Sequence, residues 1–96
     1  MQVGICKVRL HLPGNQSLKE KRRVLKSIIT RIRNKYEVSI SEVDDQDLWQ
    51  IATLGIVCTT NSTSQTNEVL SKALEFLHNS QFEVEVIDCE REIISF

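Results

Sequence analysis

The sequence predicts an α+β fold with elements in the order β-α-β-β-α-β, and three observations predict it. The chain opens on a run of alternating apolar residues, Val3 to Leu12. Two stretches, Ser17 to Tyr36 and about Ser62 to His78, instead carry apolar residues at helical spacing. Three further strand-like runs lie between and after them: 37–43, 49–60 and one beginning at Phe82. At 96 residues the chain suits a single domain, 1–96, with one modest core.

In the first strand Gly4, Cys6, Val8, Leu10 and Leu12 share one face, and Val3, Ile5, Lys7, Arg9 and His11 the other. Pro13-Gly14-Asn15 breaks the strand. Ser17 then starts the first helix, with Glu20 at capping-box spacing. Leu18, Leu25, Ile28, Ile29, Ile32 and Tyr36 form its apolar stripe. The second strand, Glu37 to Val43, is short and leads into the acidic loop Asp44-Asp45-Gln46-Asp47. The third, Trp49 to Thr60, turns Ala52, Leu54, Ile56 and Cys58 inward, and Trp49, Ile51, Thr53, Val57 and Thr59 outward. Ser62 and Gln65 repeat the capping-box spacing ahead of the second helix, whose stripe reads Val69, Leu70, Ala73, Phe76 and Leu77. The last strand turns Val84 and Val86 inward and Glu83 and Glu85 outward, and the tail to Phe96 is ambiguous. This order is the split βαβ, or ferredoxin-like, pattern: a four-stranded antiparallel sheet in the order 4-1-3-2 with both helices on one face. The expected core is Cys6, Val8, Leu10, Leu25, Ile28, Ile32, Leu54, Ile56, Leu70, Phe76 and Val84.

Composition excludes several classes. With 41% hydrophobic and 26% charged residues, the chain resembles a soluble globular protein and not a disordered or fibrous one. No apolar run approaches the roughly 18 residues of a membrane span. No signal-peptide apolar segment follows Met1, so a cytoplasmic location is expected. Cys6, Cys58 and Cys89 read as buried thiols rather than disulfide or zinc ligands.

The net charge of −1 hides a division. Residues 1–36 hold ten cations against Glu20 alone, and residues 37–96 hold Lys72 and Arg91 against twelve carboxylates. Eight of the twelve Lys and Arg stand on the first helix. Clustered cations on one helix surface suit a phosphate backbone, so Lys19, Lys21, Arg22, Arg23, Lys26 and Arg33 are the candidate RNA- or anion-binding residues. The competing reading is a solvated helix offset by the acidic half.

A second candidate site arises from topology. The end of the first strand, the start of the first helix and the loop between strands two and three share one end of this fold. His11, Ser17, Asp44, Asp45, Asp47 and Trp49, together with His78 at the end of the second helix, are therefore expected near Lys19, Lys21 and Arg22, where a helix N-terminus could take an anion. The plainer expectation is that the aspartates pair with those cations and stitch the hairpin to the helix. The loop lacks the glycine and distal glutamate of an EF-hand, and no metal or other cofactor is expected. No nucleophile–base spacing or phosphate loop is present, so catalysis is not expected either. On the open sheet face Lys7 and Arg9 are expected to pair with Glu83 and Glu85, while Val3, Ile5, Ile51 and Val57 leave an apolar end suited to a homodimer.

The stretches P-G-x-x-S-L-K-E-K-R-R (Pro13 to Arg23), E-V-D-D-Q-D-L-W-Q (Glu42 to Gln50) and A-T-L-G-I (Ala52 to Ile56) resemble the YlxP-like family of small bacterial proteins. The resemblance covers nearly the whole chain and implies a compact ferredoxin-like fold. It implies no assigned chemistry. Genes of that family often lie among translation and ribosome-maturation genes, which points toward the ribosome. The functional expectation is thus a cytosolic accessory protein that binds ribosomal RNA or a ribosomal subunit through its first helix. The alternative is a homodimer or minor enzyme with an anion or metal site where the first helix meets the acidic loop.

Overall fold

The computed structural model describes residues 1–79 and 83–96. Its elements are β1 (Gln2–His11), α1 (Leu18–Lys35), β2 (Ser39–Asp44), β3 (Ile51–Thr60), α2 (Thr63–His78) and β4 (Glu85–Ser95). The strands form one sheet in the order β2-β3-β1-β4, with every neighbouring pair antiparallel. The two helices cover one face and leave the other open. This is the ferredoxin-like fold that the alternation and helical spacing imply.

Alternation decides which strand residues meet the helices. Cys6, Val8, Leu10, Ala52, Leu54, Ile56 and Cys58 are all buried there, with Leu25, Ile28 and Ile32 of α1 and Leu70 of α2. Gly4 continues the inward row, and a Cβ on it would overlap the Thr66 methyl group and press on Leu70. Only glycine lets α2 come this close to β1.

Two expected core positions are shallower. Phe76 and Val84 are partly buried, while Leu74 and Thr66 complete the α2 stripe with Leu70, Ala73 and Leu77. The shift is steric: Thr66 fits beneath Gly4, and its hydroxyl is satisfied by the Ser62 carbonyl at 3.0 Å and the Thr60 hydroxyl at 2.7 Å.

Strand ends also differ. β2 starts at Ser39 rather than Glu37, and β3 at Ile51 rather than Trp49. Asp45 adopts φ 59°, a left-handed value that aspartate tolerates, and the Leu48 N–H closes a turn on the Asp45 carbonyl at 3.1 Å. The connection thus takes in Trp49 and Gln50. At the other end of the chain the tail is strand: Gln2 pairs with Ser95, and the Phe96 N–H donates to the Met1 carbonyl at 2.8 Å. The outer polar groups of β1 need partners along its full length, and the tail supplies them.

That extension overturns the expected ion pairing across the open face. Lys7 stands opposite Glu90, Arg9 opposite Asp88 and His11 opposite Glu85, so Glu83 takes no part in the ladder. The proposed strand start at Phe82 lies outside the described residues. The thiols are free, but Cys89 is exposed, not buried like Cys6 and Cys58.

Candidate functional site

α1 begins at Ser17, whose Oγ accepts from the Glu20 N–H at 3.1 Å. Glu20 Oε2 in turn accepts from the Gln16 N–H at 3.0 Å, closing a near-reciprocal cap. Ser17 is therefore the cap of α1, with an Oγ lone pair taken by the Glu20 N–H.

The buried face of α1 is Lys21, Leu25, Ile28 and Ile32. Lys21 is only 1% exposed. Its stem follows the apolar stripe, and its ammonium sits 2.9 Å from Glu42 Oε2 on β2. It also donates to the Asp45 carbonyl at 2.7 Å and the Gln46 carbonyl at 3.5 Å. Lys21 cannot belong to a binding surface, which corrects its place among the candidate cations. The reason is spacing: Lys21 precedes Leu25 by one turn and lies on the same line as Ile28 and Ile32.

Lys19, Arg22, Arg23 and Lys26 are exposed. Among the described residues no ion pair reaches any of them. At about 100° per residue they fall, with Arg33, within an arc of about 100°. Arg33 donates to the Ile40 carbonyl of β2 at 2.8 Å, so its head is partly used. Lys35, outside the arc, lies over the Tyr36 ring at 5.7 Å and the Phe76 ring at 5.6 Å. The basic arc therefore lies opposite the apolar stripe of α1, with its Arg33 edge toward β2.

The hairpin tip does rest against α1, but through backbone and not through its aspartates. Asp45 turns its carboxylate toward the open sheet face, accepting from Thr53 Oγ1 at 2.6 Å and lying 3.8 Å from Arg9 Nε. Asp44 Oδ1 accepts from the Asp45 N–H at 2.8 Å. No ion pair joins Asp44, Asp45 or Asp47 to Lys19, Lys21 or Arg22 among the described residues. The left-handed turn at Asp45 explains the correction, because it offers the carbonyl to Lys21 and the carboxylate to the sheet.

The remaining candidates are dispersed. His11 Nδ1 lies 3.3 Å from Glu85 Oε2, on the β4 side of the sheet. Trp49 is 54% exposed on the tip rather than on a strand face. Among the described residues no three His, Cys, Asp or Glu side chains gather as metal ligands. Nor is any described helix long and apolar enough to cross a membrane.

Residues 3–91 match the family described as "Protein of unknown function (DUF503)". The chain belongs to this family. A relative, "Uncharacterized protein YlxP" of Bacillus subtilis (strain 168), is 51% identical over 75 residues, covering 78% of this chain and 82% of that protein. The family match spans all three stretches on which the YlxP-like resemblance rests, and it carries no chemistry with it.

Glu42 is the residue that reading the sequence missed. It is half-buried on the helix-facing side of β2 and holds the Lys21 ammonium. Its alternation with the inward Ile40 was the available signal. The pair with Glu42 sets Lys21 apart as the buried cation of α1, while Lys19, Arg22, Arg23 and Lys26 remain exposed.

Proposed function

We propose that the protein is a cytoplasmic accessory factor that binds RNA, with ribosomal RNA or a ribosomal subunit as the partner, through Lys19, Arg22, Arg23 and Lys26 of α1. The observation that carries this reading is their freedom: four exposed cations share one arc and have no ion-pair partner among the described residues. Such a band is a track for phosphates. Arg33 flanks it with one nitrogen committed to β2. No catalysis is invoked.

The test is co-sedimentation with ribosomal subunits and gel shift on ribosomal RNA at several salt concentrations. Four single-strand phosphate contacts imply a log–log salt slope of about −3, an affinity loss of about 50-fold between 50 and 200 mM salt. Arg22→Glu, Arg23→Glu and Lys26→Glu combined should abolish binding and leave the circular dichroism spectrum unchanged. Unchanged binding in that variant removes α1 from the mechanism.

A second reading, self-association through the open sheet face, rests on a different observation. Ile5, Val57 and Ile94 are 36%, 37% and 40% exposed, and β1 brings them together, with Ile5 opposite Val57 and Val3 opposite Ile94. Sedimentation equilibrium tests it: Ile5→Glu should turn a dimer into a monomer, and a wild-type monomer at millimolar concentration ends the idea.

A further inference from the structure

Trp49 is the chain's single tryptophan, and the fold holds it in the open. It is 54% exposed, beside Leu48 at 47%. The tip that carries them is fastened on both sides. Lys21 grips the Asp45 and Gln46 carbonyls from α1. Next to Trp49, Gln50 Nε2 donates to the Asn15 carbonyl at 3.0 Å and the Pro13 carbonyl at 3.4 Å, and the Gln50 carbonyl accepts from the Leu12 N–H at 2.8 Å. An indole on so tied a loop is presented at little entropic cost, as recognition aromatics are.

Its position relates it to the basic arc. The clamp lies at Lys21, next in sequence to Arg22, and Arg33 at the edge of the arc reaches β2, the strand from which this hairpin rises. The tip itself carries exposed Asp44 and Asp47, which repel phosphate and anionic lipid alike. A polyanion on α1 would therefore meet the tip with something other than its backbone.

We infer that Trp49 is a base-stacking platform and that the RNA bound by α1 is single-stranded, its phosphates on Lys19, Arg22, Arg23 and Lys26 and an unpaired base on the indole. This rests on the reading of α1 given above and adds the class of RNA. Cations alone track the phosphates of either a single strand or a duplex. An aromatic face distinguishes them, because the base faces of a duplex are already stacked on each other.

Titration of the full chain with a twelve-nucleotide oligoadenylate, and with the same strand in duplex with oligouridylate, tests the inference. Anisotropy of a labelled strand reads binding, and Trp49 emission reads the stacking itself. The single strand should quench Trp49 and the duplex should not. Trp49→Ala should weaken single-strand binding about 5- to 150-fold, the range seen for loss of a stacked aromatic, and leave duplex binding unchanged. Trp49→Phe should retain most of the affinity. Binding with unaltered Trp49 emission, or equal losses for single strand and duplex in Trp49→Ala, overturns the inference and leaves α1 standing. Absence of binding to either RNA by the wild-type chain overturns the reading of α1, and the inference with it.

Discussion

Lys21 and Arg22 are neighbours in sequence and carry the same charge, yet the fold gives them opposite tasks. Lys21 is enclosed by a carboxylate and two carbonyls contributed by the β2–β3 hairpin. Arg22, about 100° further round the helix, is exposed and has no ion-pair partner among the described residues. The first fastens a hairpin, and the second faces solvent. Cation density on a helix therefore does not measure its binding surface; the face each cation occupies does. The thiols repeat the contrast. Cys6 and Cys89 have their Sγ atoms 3.5 Å apart, but one is buried and the other exposed.

The largest expected effect lies on the buried side. Lys21→Ala should cost about 3–5 kcal/mol in urea unfolding, because it leaves Glu42 half-buried without its partner. Lys21→Met combined with Glu42→Leu should recover most of that loss, since an apolar pair of similar volume removes the uncompensated charge. A cost under about 1 kcal/mol for Lys21→Ala would make it one more surface cation, and the comparison would break.

The thiol pair gives a pH test. Burial, then the hydrogen bond and charge of Cys89, push the Cys6 thiol up from 9.0 to about 12. The unfolded chain loses this proton first, so the stability it contributes is full below pH 9 and is lost as pH rises toward 12. Stability should fall by up to about 1.4 kcal/mol per pH unit across that window, and Cys6→Ala should flatten the slope. At pH 8 a thiol reagent should label Cys89 quickly and Cys6 and Cys58 only on unfolding.

Smaller effects sharpen the comparison. Ser17→Ala should cost about 1 kcal/mol by removing the cap from the Glu20 N–H. Single alanines at Arg22, Arg23 or Lys26 should each stay within about 0.5 kcal/mol of wild type, as measured by thermal unfolding. A larger loss at any of these three would mean that its charge already has a structural partner.

Much of this architecture could be read along the chain. The alternation in 3–12 and 52–58 and the stripe Leu25, Ile28, Ile32 mark the buried faces, because strand and helix periods are local properties of the backbone. The capping residues Ser17 and Ser62 sit where their spacing to Glu20 and Gln65 puts them. The candidate cations were legible as a set, and the spacing of Lys21 to Leu25, Ile28 and Ile32 already set it on the inward line; its partners were not legible. Nothing near Lys21 in sequence shows that two carbonyls from residues 45 and 46 will close on it.

By itself, then, the sequence determined the element order, the two apolar layers and a helix whose outer face is basic. Tertiary structure alone decided which groups close on Lys21, that Asp45 faces Arg9 and Thr53 instead of α1, that the tail completes β4, and that Trp49 stands on a fastened tip. The physical reason is range. An apolar side chain needs only to leave water, and any face of the right period suffices. A polar group needs a particular partner at hydrogen-bond distance, and here that partner comes from strand register and a left-handed turn far away in the chain.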